Sequence, residues 1–243
     1  AAGDALLLAD IDAAALAARA GELAAAGVEP HRIATVAGDL THTEVIARVV
    51  ATAAERFGRL DRLVNNAGIT HRSPAHRTDP AVFRRVMAVN WQAPIELTLA
   101  ALPLLRASRG AIVTIGSMAG WMPLPGRAGY GAAKAALAQW FEVLRLEIEA
   151  DGVHLLMVYP SFLDTPIERH ALGADGAPAA HARSTVGRVR SAEATVLAIE
   201  RALERRARRL APDPMARFGA LLWRVAPAWY LASVRRRFGG ELR

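Results

Sequence analysis

The sequence contains no cysteine among its 243 residues. Disulfide bonds and thiolate metal sites are therefore excluded, and the composition fits a cytoplasmic protein. The chain also lacks any run of about 20 uninterrupted apolar residues, so we expect no membrane-spanning helix. Its first residues lack the basic start and apolar core of a signal peptide. The remaining composition is ordinary for a globular protein, and the length suffices for one large α/β domain.

Lysine is almost as scarce as cysteine. Lys134 is the only lysine, although lysine and arginine together number 30. Because arginine serves elsewhere as the generic cation, the single lysine marks a position where arginine is a poor substitute. An ammonium is a compact point charge, whereas a guanidinium is a wide planar fork. Taken alone, Lys134 could also be an incidental residue on a helix surface, so the residues around it must distinguish the two interpretations.

Acidic residues are scarce near the carboxyl end. Residues 201–243 hold 11 arginines against three acidic residues, and the rest of the chain is nearly neutral. A nucleic-acid-binding enzyme would more typically spread its positive charge along a groove, so we expect no nucleic-acid partner. A basic tail suits a membrane surface, a protein partner or solubility alone.

Apolar runs alternate with helical patterns along the first 210 residues. The pattern predicts strands within Ala5–Asp10, Arg32–Leu40, Leu60–Gly68, Ala111–Ser117 and Val153–Pro160. It predicts helices at Ala13–Ala26, Thr43–Phe57, Asp79 to about Ala107, Gly129–Ala150 and Ser191–Arg209. This alternation is typical of βαβ units and indicates an α/β fold with a doubly wound, parallel, Rossmann-type sheet. We expect one catalytic domain over residues 1–210, with a mobile lid at about residues 166–190.

Residues 211–243 read as a basic amphipathic extension. Apolar side chains recur at helical spacing in this segment: Phe218, Leu222, Val225 and Trp229. Pro227 should divide the segment into two short helices. The favoured interpretation is that the apolar face packs on the enzyme body or closes a subunit contact. The alternative is a weak contact with an anionic bilayer, aided by the arginines at 235–237.

Three residues form a pattern that carries chemistry. Tyr130 and Lys134 are four apart on a predicted helix, so their side chains share one face. A free phenol has a pKa of about 10, which a nearby ammonium lowers by favouring the phenolate. Such a phenol can exchange a proton with a substrate oxygen. Ser117 ends a predicted strand, and its hydroxyl can hydrogen-bond the same oxygen.

The joint occurrence of these residues resembles the short-chain dehydrogenase/reductase family over about residues 5–168. The matching motifs are Asn65-Asn66-Ala67-Gly68 after a strand, Asn90 in Val89-Asn90, Ser117 after AIVTIG, Tyr130-Gly-Ala-Ala-Lys134, and Pro160-Ser-Phe-Leu-Asp-Thr165. The resemblance implies an NAD(P)-dependent oxidoreductase that interconverts an alcohol and a carbonyl.

The resemblance also implies four catalytic roles. Tyr130 would be the general acid/base. Lys134 would bind the nicotinamide ribose and depress the pKa of Tyr130, and Ser117 would polarise the carbonyl. Asn90 would hold a water that links Lys134 to bulk solvent. The implied cofactor-binding set is Asp10, Asp39, Leu40, Asn66, Ala67, Gly68, Tyr130, Lys134, Pro160, Leu163 and Thr165.

Asp10 bears on which cofactor is used. An acid at the end of this strand can accept hydrogen bonds from the adenosine ribose hydroxyls and repels a 2′-phosphate. The alternative is a helix cap, but Asp12 can fill that role. We therefore expect NAD rather than NADP.

Two features depart from the family pattern. Ser161 stands where the family usually has glycine, which narrows the space near the nicotinamide. The family's first strand and its G-x-x-x-G-x-G loop are missing, since Gly3 reads as a helix end and Ala5 already starts the second strand. We therefore expect a fragment, short by about 25–30 residues judging from the length of a βα unit, that binds cofactor poorly.

The seven histidines show no metal-ligand spacing, so we expect surface or loop histidines and no metal site. We expect a small, hydrophobic substrate, such as a lipid or steroid-like alcohol or ketone, and a homodimer or homotetramer. Alternatives left open are an epimerase or dehydratase on the same fold, a non-catalytic cofactor-binding protein and a membrane-surface module.

Overall fold

The structure is a computed structural model that describes residues 3–165, 167, 170–180 and 189–238. Its strands, in chain order, are β1 (Leu6–Asp10), β2 (Ile33–Ala37), β3 (Arg62–Asn65), β4 (Ala111–Ile115), β5 (His154–Val158), β6 (Leu163–Asp164), β7 (Arg190–Ser191) and β8 (Arg209–Leu210). Its helices are α1 (Ala13–Ala25), α2 (Thr43–Phe57), α3 (Pro80–Met87), α4 (Ala93–Ser108), α5 (Ala128–Ile148), α6 (Ala192–Glu204), α7 (Pro214–Val225) and α8 (Pro227–Phe238).

The strand pairs that the described residues form are all parallel, as the alternation of strands and helices predicts. β1 pairs with β2, and β3, β4, β5 and β8 form a second sheet in that order. In the part of the chain that the structure describes, β1 and β3 are not hydrogen-bonded to each other. The polar residues that follow β3, β4 and β5 therefore lie at one edge, where the carboxyl ends of these strands meet.

Helices cover both faces of the second sheet. On one face, α2, α4 and α5 share a core with β4 and β5, centred on fully buried residues such as Leu105, Ile112, Phe141 and Leu155. On the other face, Val113, Leu156 and Val158 pack against Ala202 of α6. This alternation along β4 and β5 confirms the doubly wound, Rossmann-type architecture.

The helix that we predicted from Asp79 to about Ala107 is interrupted. Five residues of π-helix, Ala88–Gln92, separate α3 from α4. Pro94 has no N–H and cannot donate to the carbonyl of Asn90 four residues earlier, so the α-helical ladder fails at that point. A single π-helical turn of this kind often marks a functional site.

Several strands and helices are shorter than the sequence predicts. The strands end before the polar loops: β2 stops at Ala37 and β4 at Ile115. Helix α6 ends at Glu204 because Arg206 takes a left-handed backbone conformation, which turns the chain into the short strand β8. The two-residue strands β6, β7 and β8 carry too little periodicity to be read from the sequence.

The predicted lid at about residues 166–190 lies only partly within the described residues. Strands β6 and β7 pair and so bring the two ends of this segment together. Between them, Leu172 exchanges backbone hydrogen bonds with the chain at Thr70 and Arg72, at 2.9 and 2.7 Å. Residues 166, 168–169 and 181–188 fall outside the description, and the mobility of the lid stays a prediction.

The carboxyl-terminal segment forms two helices, α7 and α8, divided at Pro227 as predicted. Ala216 of α7 is buried in the main core. Tyr230, Val234 and Phe238 of α8 pack on Met122, Leu124, Phe162, Leu222 and Trp223. The extension therefore rests on the loops that follow β4 and β5.

Candidate active site

Ser117 lies two residues beyond the end of β4, where it begins the short 3-10 turn Met118–Gly120. The side chain is buried, and its Oγ accepts a hydrogen bond from the N–H of Ala119 at 3.1 Å. This bond fixes the direction of the oxygen, while the hydroxyl hydrogen takes no part in it. The donation of this hydroxyl to a substrate stays a prediction.

Lys134 is buried in α5, and its ammonium reaches back to the end of β4. Nζ donates a hydrogen bond to the carbonyl of Ile115 at 2.8 Å and lies 5.9 Å from the centre of the Tyr130 ring. Burial lowers the pKa of Lys134 from 10.5 to about 8. The group therefore remains largely cationic at neutral pH, close to the phenol whose pKa it would lower.

Two glycines bring the Ser117 turn against the helix that carries Tyr130 and Lys134. A Cβ on Gly120 would lie 2.9 Å from the carbonyl carbon of Lys134 and 3.0 Å from the nitrogen of Ala135. A Cβ on Gly131 would lie 3.1 Å from the carbonyl oxygen of Ala119. Only glycine allows the backbones to approach this closely. We singled out neither glycine in the sequence, although both lie within the Ser117–Lys134 segment.

Replacing Gly120 with alanine should therefore separate the turn from α5. We expect a loss of about 1–3 kcal/mol in the free energy of unfolding, as for other overpacked sites. Gly21 is the matched control, because it lies in the middle of α1 with nothing within 4 Å of an added Cβ. Gly21→Ala should stabilise the protein by up to about 1 kcal/mol. Urea unfolding measures both, and equal shifts for the two variants would disprove the close approach.

Asn90 lies at the π-helical turn and is almost fully buried. Its Oδ1 accepts from the N–H of Ile69 at 2.8 Å, and its Nδ2 donates to the carbonyl of Ile69 at 2.7 Å. The neighbouring Gly68 leaves little space, because a Cβ there would lie 3.1 Å from Oδ1 of Asn90 and 3.8 Å from Nζ of Lys134. Gly68, Asn90 and Lys134 therefore converge at one place. The water relay implied for Asn90 stays a prediction.

Asn65 belongs to the Asn65–Gly68 motif, but the sequence alone did not indicate its structural role. It is buried at the end of β3, and its Nδ2 donates to Thr98 of α4 at 2.9 Å and to Thr114 of β4 at 3.3 Å. The next two residues, Asn66 and Ala67, are exposed. Asn65 thus fixes the end of β3 while the residues after it stay open to a ligand.

The structure separates the roles of Asp10 and Asp12. Asp12 caps α1 by accepting from the N–H of Ala15 at 2.9 Å. Asp10 ends β1 with an exposed side chain, and its Oδ1 accepts only from the N–H of Asp12 among the bonds described, at 3.0 Å. Asp10 is therefore not needed as the helix cap, and its carboxylate faces solvent at the carboxyl end of β1.

Asp39 and Leu40 follow β2. Asp39 is half-buried, which by itself raises its pKa, but hydrogen bonds from the backbone and hydroxyl of Thr41, at 2.9 and 2.8 Å, outweigh burial. The pKa of Asp39 therefore lies below its usual 3.8. Leu40 packs on the main core. Their role beside a cofactor stays a prediction.

Pro160 and Ser161 join the site to the carboxyl-terminal helices. The carbonyl of Pro160 accepts from the N–H of Met118 at 3.1 Å, which links this loop to the Ser117 turn. The Oγ of Ser161 donates to Oδ2 of Asp213 at 2.5 Å, and Asp213 caps α7 through the N–H of Met215 at 2.9 Å. Ser161 thus has a partner that glycine would lack. Leu163 and Thr165, half-buried, continue the same loop.

The expectation of surface or loop histidines is wrong for His154, which lies half-buried in β5. His71 lies in a loop, as expected, but not at the surface. This side chain is fully buried, and its Nε2 accepts from the N–H of Gly129 at 2.9 Å, next to Tyr130. Burial, with a contribution from the charge of Arg127, lowers its pKa to about 4. A lone polar residue in a loop gives no periodic signal, so the sequence did not reveal this burial. No cluster of three potential metal-ligating side chains occurs among the described residues.

Several known proteins are similar to this chain in amino-acid sequence. The family model described as short chain dehydrogenase matches residues 1–174. A bovine protein named dehydrogenase/reductase SDR family member 7B is 34% identical over 98% of this chain and 74% of its own length. The 11-beta-hydroxysteroid dehydrogenase A of Sesamum indicum is 38% identical over 56% of this chain, which spans only 39% of that relative.

Solved structures agree. A short-chain dehydrogenase from Streptomyces avermitilis superposes with a TM-score of 0.74 and 28% identity, covering 98% of this chain and 88% of that one. A metagenomic short-chain oxidoreductase in complex with NADP has a TM-score of 0.59 and 34% identity, over 63% of this chain and 69% of that one. The chain belongs to the short-chain dehydrogenase/reductase family and is an oxidoreductase acting on CH–OH groups.

Proposed function

We propose that the protein interconverts an alcohol and a carbonyl compound, with Tyr130 as the general acid/base. The observation that supports this most is the position of the Lys134 ammonium, 5.9 Å from the Tyr130 ring and hydrogen-bonded at the end of β4, two residues before Ser117. When bound, a nicotinamide cofactor supplies or accepts the hydride. In reduction the Tyr130 hydroxyl gives its proton to the substrate oxygen, and in oxidation the phenolate takes it back.

The other two side chains support this proton transfer. The Lys134 cation stabilises the phenolate, which brings the pKa of Tyr130 closer to neutral pH. The Ser117 hydroxyl donates a hydrogen bond to the same substrate oxygen and stabilises the charge that develops on it. Substrate reduction compared between the wild type and a Tyr130 variant tests this assignment.

The residues present fit the ribose and nicotinamide ends of a dinucleotide. Gly68 leaves room beside Asn90 and Lys134 that a Cβ would fill, and Asp10 offers an exposed carboxylate. Lys134 would hold the nicotinamide ribose, while Pro160, Leu163 and Thr165 would border the nicotinamide. None of the described strand-to-helix turns carries the pattern G-x-x-x-G-x-G, so the pyrophosphate is not assigned a partner.

We propose NAD as the preferred cofactor, with Asp10 as the discriminating group. Its exposed carboxylate can bind the ribose hydroxyls and would repel the 2′-phosphate of NADP. The metagenomic relative was solved in complex with NADP, so membership of the family does not by itself favour NAD. The preference therefore depends on Asp10 alone.

Asp10→Ser should weaken NAD(H) and relieve the repulsion of NADP(H). We expect the ratio of kcat/KM for NAD(H) over NADP(H) to fall about tenfold or more, consistent with loss of one charge-assisted contact. Asp4→Ser is the control, because it removes an exposed carboxylate at the opposite end of β1. A wild type that already prefers NADP(H) would refute the proposal.

A hydrophobic substrate is favoured by the apolar surface beside the site. Met122 and Leu124, between Ser117 and Tyr130, and Phe162, after Pro160, pack with Tyr230 and its neighbours on α8. The hydroxyl of Tyr230 also donates to the carbonyl of Pro123 at 3.0 Å. A steroid-like alcohol or ketone agrees with the name of the sesame relative.

The exposed face of α7 and α8 supports a contact outside the enzyme body. Of the apolar stripe predicted there, Leu222 packs internally, but Phe218, Val225 and Trp229 are 61%, 69% and 77% exposed. Packing on the body is therefore wrong for these three side chains. We propose a contact between subunits of a homodimer or homotetramer, with an anionic bilayer as the alternative. The described part of the chain includes no helix long and apolar enough to cross a bilayer.

A further inference from the structure

His71 begins a chain of hydrogen bonds whose direction can be assigned. The hydroxyl of Thr78 donates its single hydrogen to the carbonyl of Pro74 at 2.8 Å, so at its 2.7 Å contact with Ser73 it must accept. Ser73 therefore donates to Thr78 and accepts from Nδ1–H of His71 at 3.1 Å. All three side chains are buried.

The other side of the ring gives the same assignment independently. The backbone N–H of Gly129 can only donate, so Nε2 of His71, 2.9 Å away, must be the acceptor. An imidazole that donates through Nδ1 and accepts through Nε2 is neutral, in a single tautomer. Burial agrees with this, since it holds the pKa of His71 near 4, well below neutral pH.

The bond to Gly129 lies at the start of the helix that carries the proposed acid/base. Gly129 is the second residue of α5 and Tyr130 the third. The first N–H groups of a helix have no partner within it, and Arg127, at the cap position, provides no side-chain cap. A cap residue ordinarily accepts from the second or third N–H. His71 supplies that acceptor from a distant loop.

The contact is also sterically tight. A Cβ on Gly129 would lie 2.7 Å from Cδ1 of Phe83 and 3.3 Å from Nε2 of His71. The rings of His71 and Phe83 meet edge to face, with centroids 5.5 Å apart. The His71 loop is itself fixed, because the N–H of Ser73 donates to the carbonyl of Gly126 at 3.0 Å. A shift of the ring would therefore move the first turn of α5.

We propose that neutral His71 is a positioning residue that caps the amino end of α5 and thereby fixes the Tyr130 phenol relative to Lys134. The effect on catalysis rests on the function proposed above. The effect on the phenol does not, because it concerns only where Tyr130 lies. A change in that position alters both the proton transfer and the influence of the Lys134 charge on the phenol.

The test combines two readouts on the 243-residue chain: the pH titration of phenolate absorbance, and turnover of a steroid ketone with NADH and NADPH. The chain has three tyrosines, and burial raises the pKa of Tyr159 and of Tyr230 to about 12, so a phenolate step at lower pH reports Tyr130. In His71→Leu we expect that step to move towards 10, kcat to fall about ten- to a hundredfold and cofactor Kd to change less than about threefold.

Matched variants separate positioning from simple destabilisation. His71→Gln keeps an acceptor near Nε2 and should restore the wild-type step, while His76→Leu removes an exposed histidine of the same loop and should change neither readout. If His71→Leu does not fold, Ser73→Ala provides the second variant, with a smaller upward shift of the same step expected.

The two proposals fail in different ways. A folded His71→Leu, or Ser73→Ala in its place, whose phenolate step and kcat both equal those of the wild type would overturn the positioning role. A phenolate step that moves in His71→Leu and returns in His71→Gln supports it, even if the wild type reduces no ketone. That last result would count against the proposed function alone.

Discussion

Tyr130→Phe should reduce turnover by about 10²–10⁴-fold, the range that a general acid/base contributes. The variant keeps the ring that packs near Val82, Val86 and Ala133 and removes only the hydroxyl. Affinity for the cofactor should therefore change little. Steady-state rates measured beside cofactor titration check both parts of this expectation.

The control for Tyr130→Phe is Tyr159→Phe. Tyr159 is buried against Trp121, with ring centroids 4.1 Å apart. Its hydroxyl makes a long hydrogen bond, 3.5 Å, to the carboxylate of Glu142. Its loss should leave turnover within a few-fold of the wild type. If Tyr130→Phe instead retained its rate and lost cofactor affinity, Tyr130 would be a binding residue and not the acid/base.

Lys134→Arg should reduce turnover by on the order of 100-fold or more, although it keeps the positive charge. The buried ammonium donates to one described acceptor, the carbonyl of Ile115. Gly120 packs closely against the backbone of Lys134 itself, so there is little room for a larger side chain to shift the helix. A guanidinium brings five donors and a wider plane into this space, so some donors would be buried without partners.

Lys134→Met separates charge from shape. It keeps an unbranched side chain of similar length but loses the cation, so we expect a folded protein with a comparable loss of turnover. Turnover of Lys134→Arg within a few-fold of the wild type would show that any cation suffices there. The scarcity of lysine in the sequence would then carry no meaning.

Much of the fold could be predicted because its signals are local. Helix α2 has the predicted bounds Thr43–Phe57, since its apolar period is regular and Gly58 ends it in a left-handed conformation. Pro227 divides the last two helices because proline disrupts a helix whatever its surroundings. The parallel sheet could be predicted because the alternation of strands and helices is also visible in local sequence patterns.

The remaining features depend on contacts between distant parts of the chain. Ser161 and Asp213 are 52 residues apart, and His71 and Gly129 are 58 apart. Neither pair has a spacing that a periodic pattern could reveal. The missing N–H of Pro94 is visible in the sequence, but whether the chain answers it with a kink or with a π-helical turn depends on how α4 packs.

The pH titration of the tyrosines in the wild type and in Lys134→Met tests the proposed pairing of Tyr130 and Lys134 most directly, because it needs no substrate. Burial brings the pKa of Lys134 to about 8, so the ammonium and the phenol should titrate as a coupled pair. We predict that one of the three tyrosines ionises well below its ordinary value of about 10, and that Lys134→Met returns this step to 10 or above. A wild type with no phenolate step below 10, or a step that Lys134→Met leaves in place, would contradict the pairing.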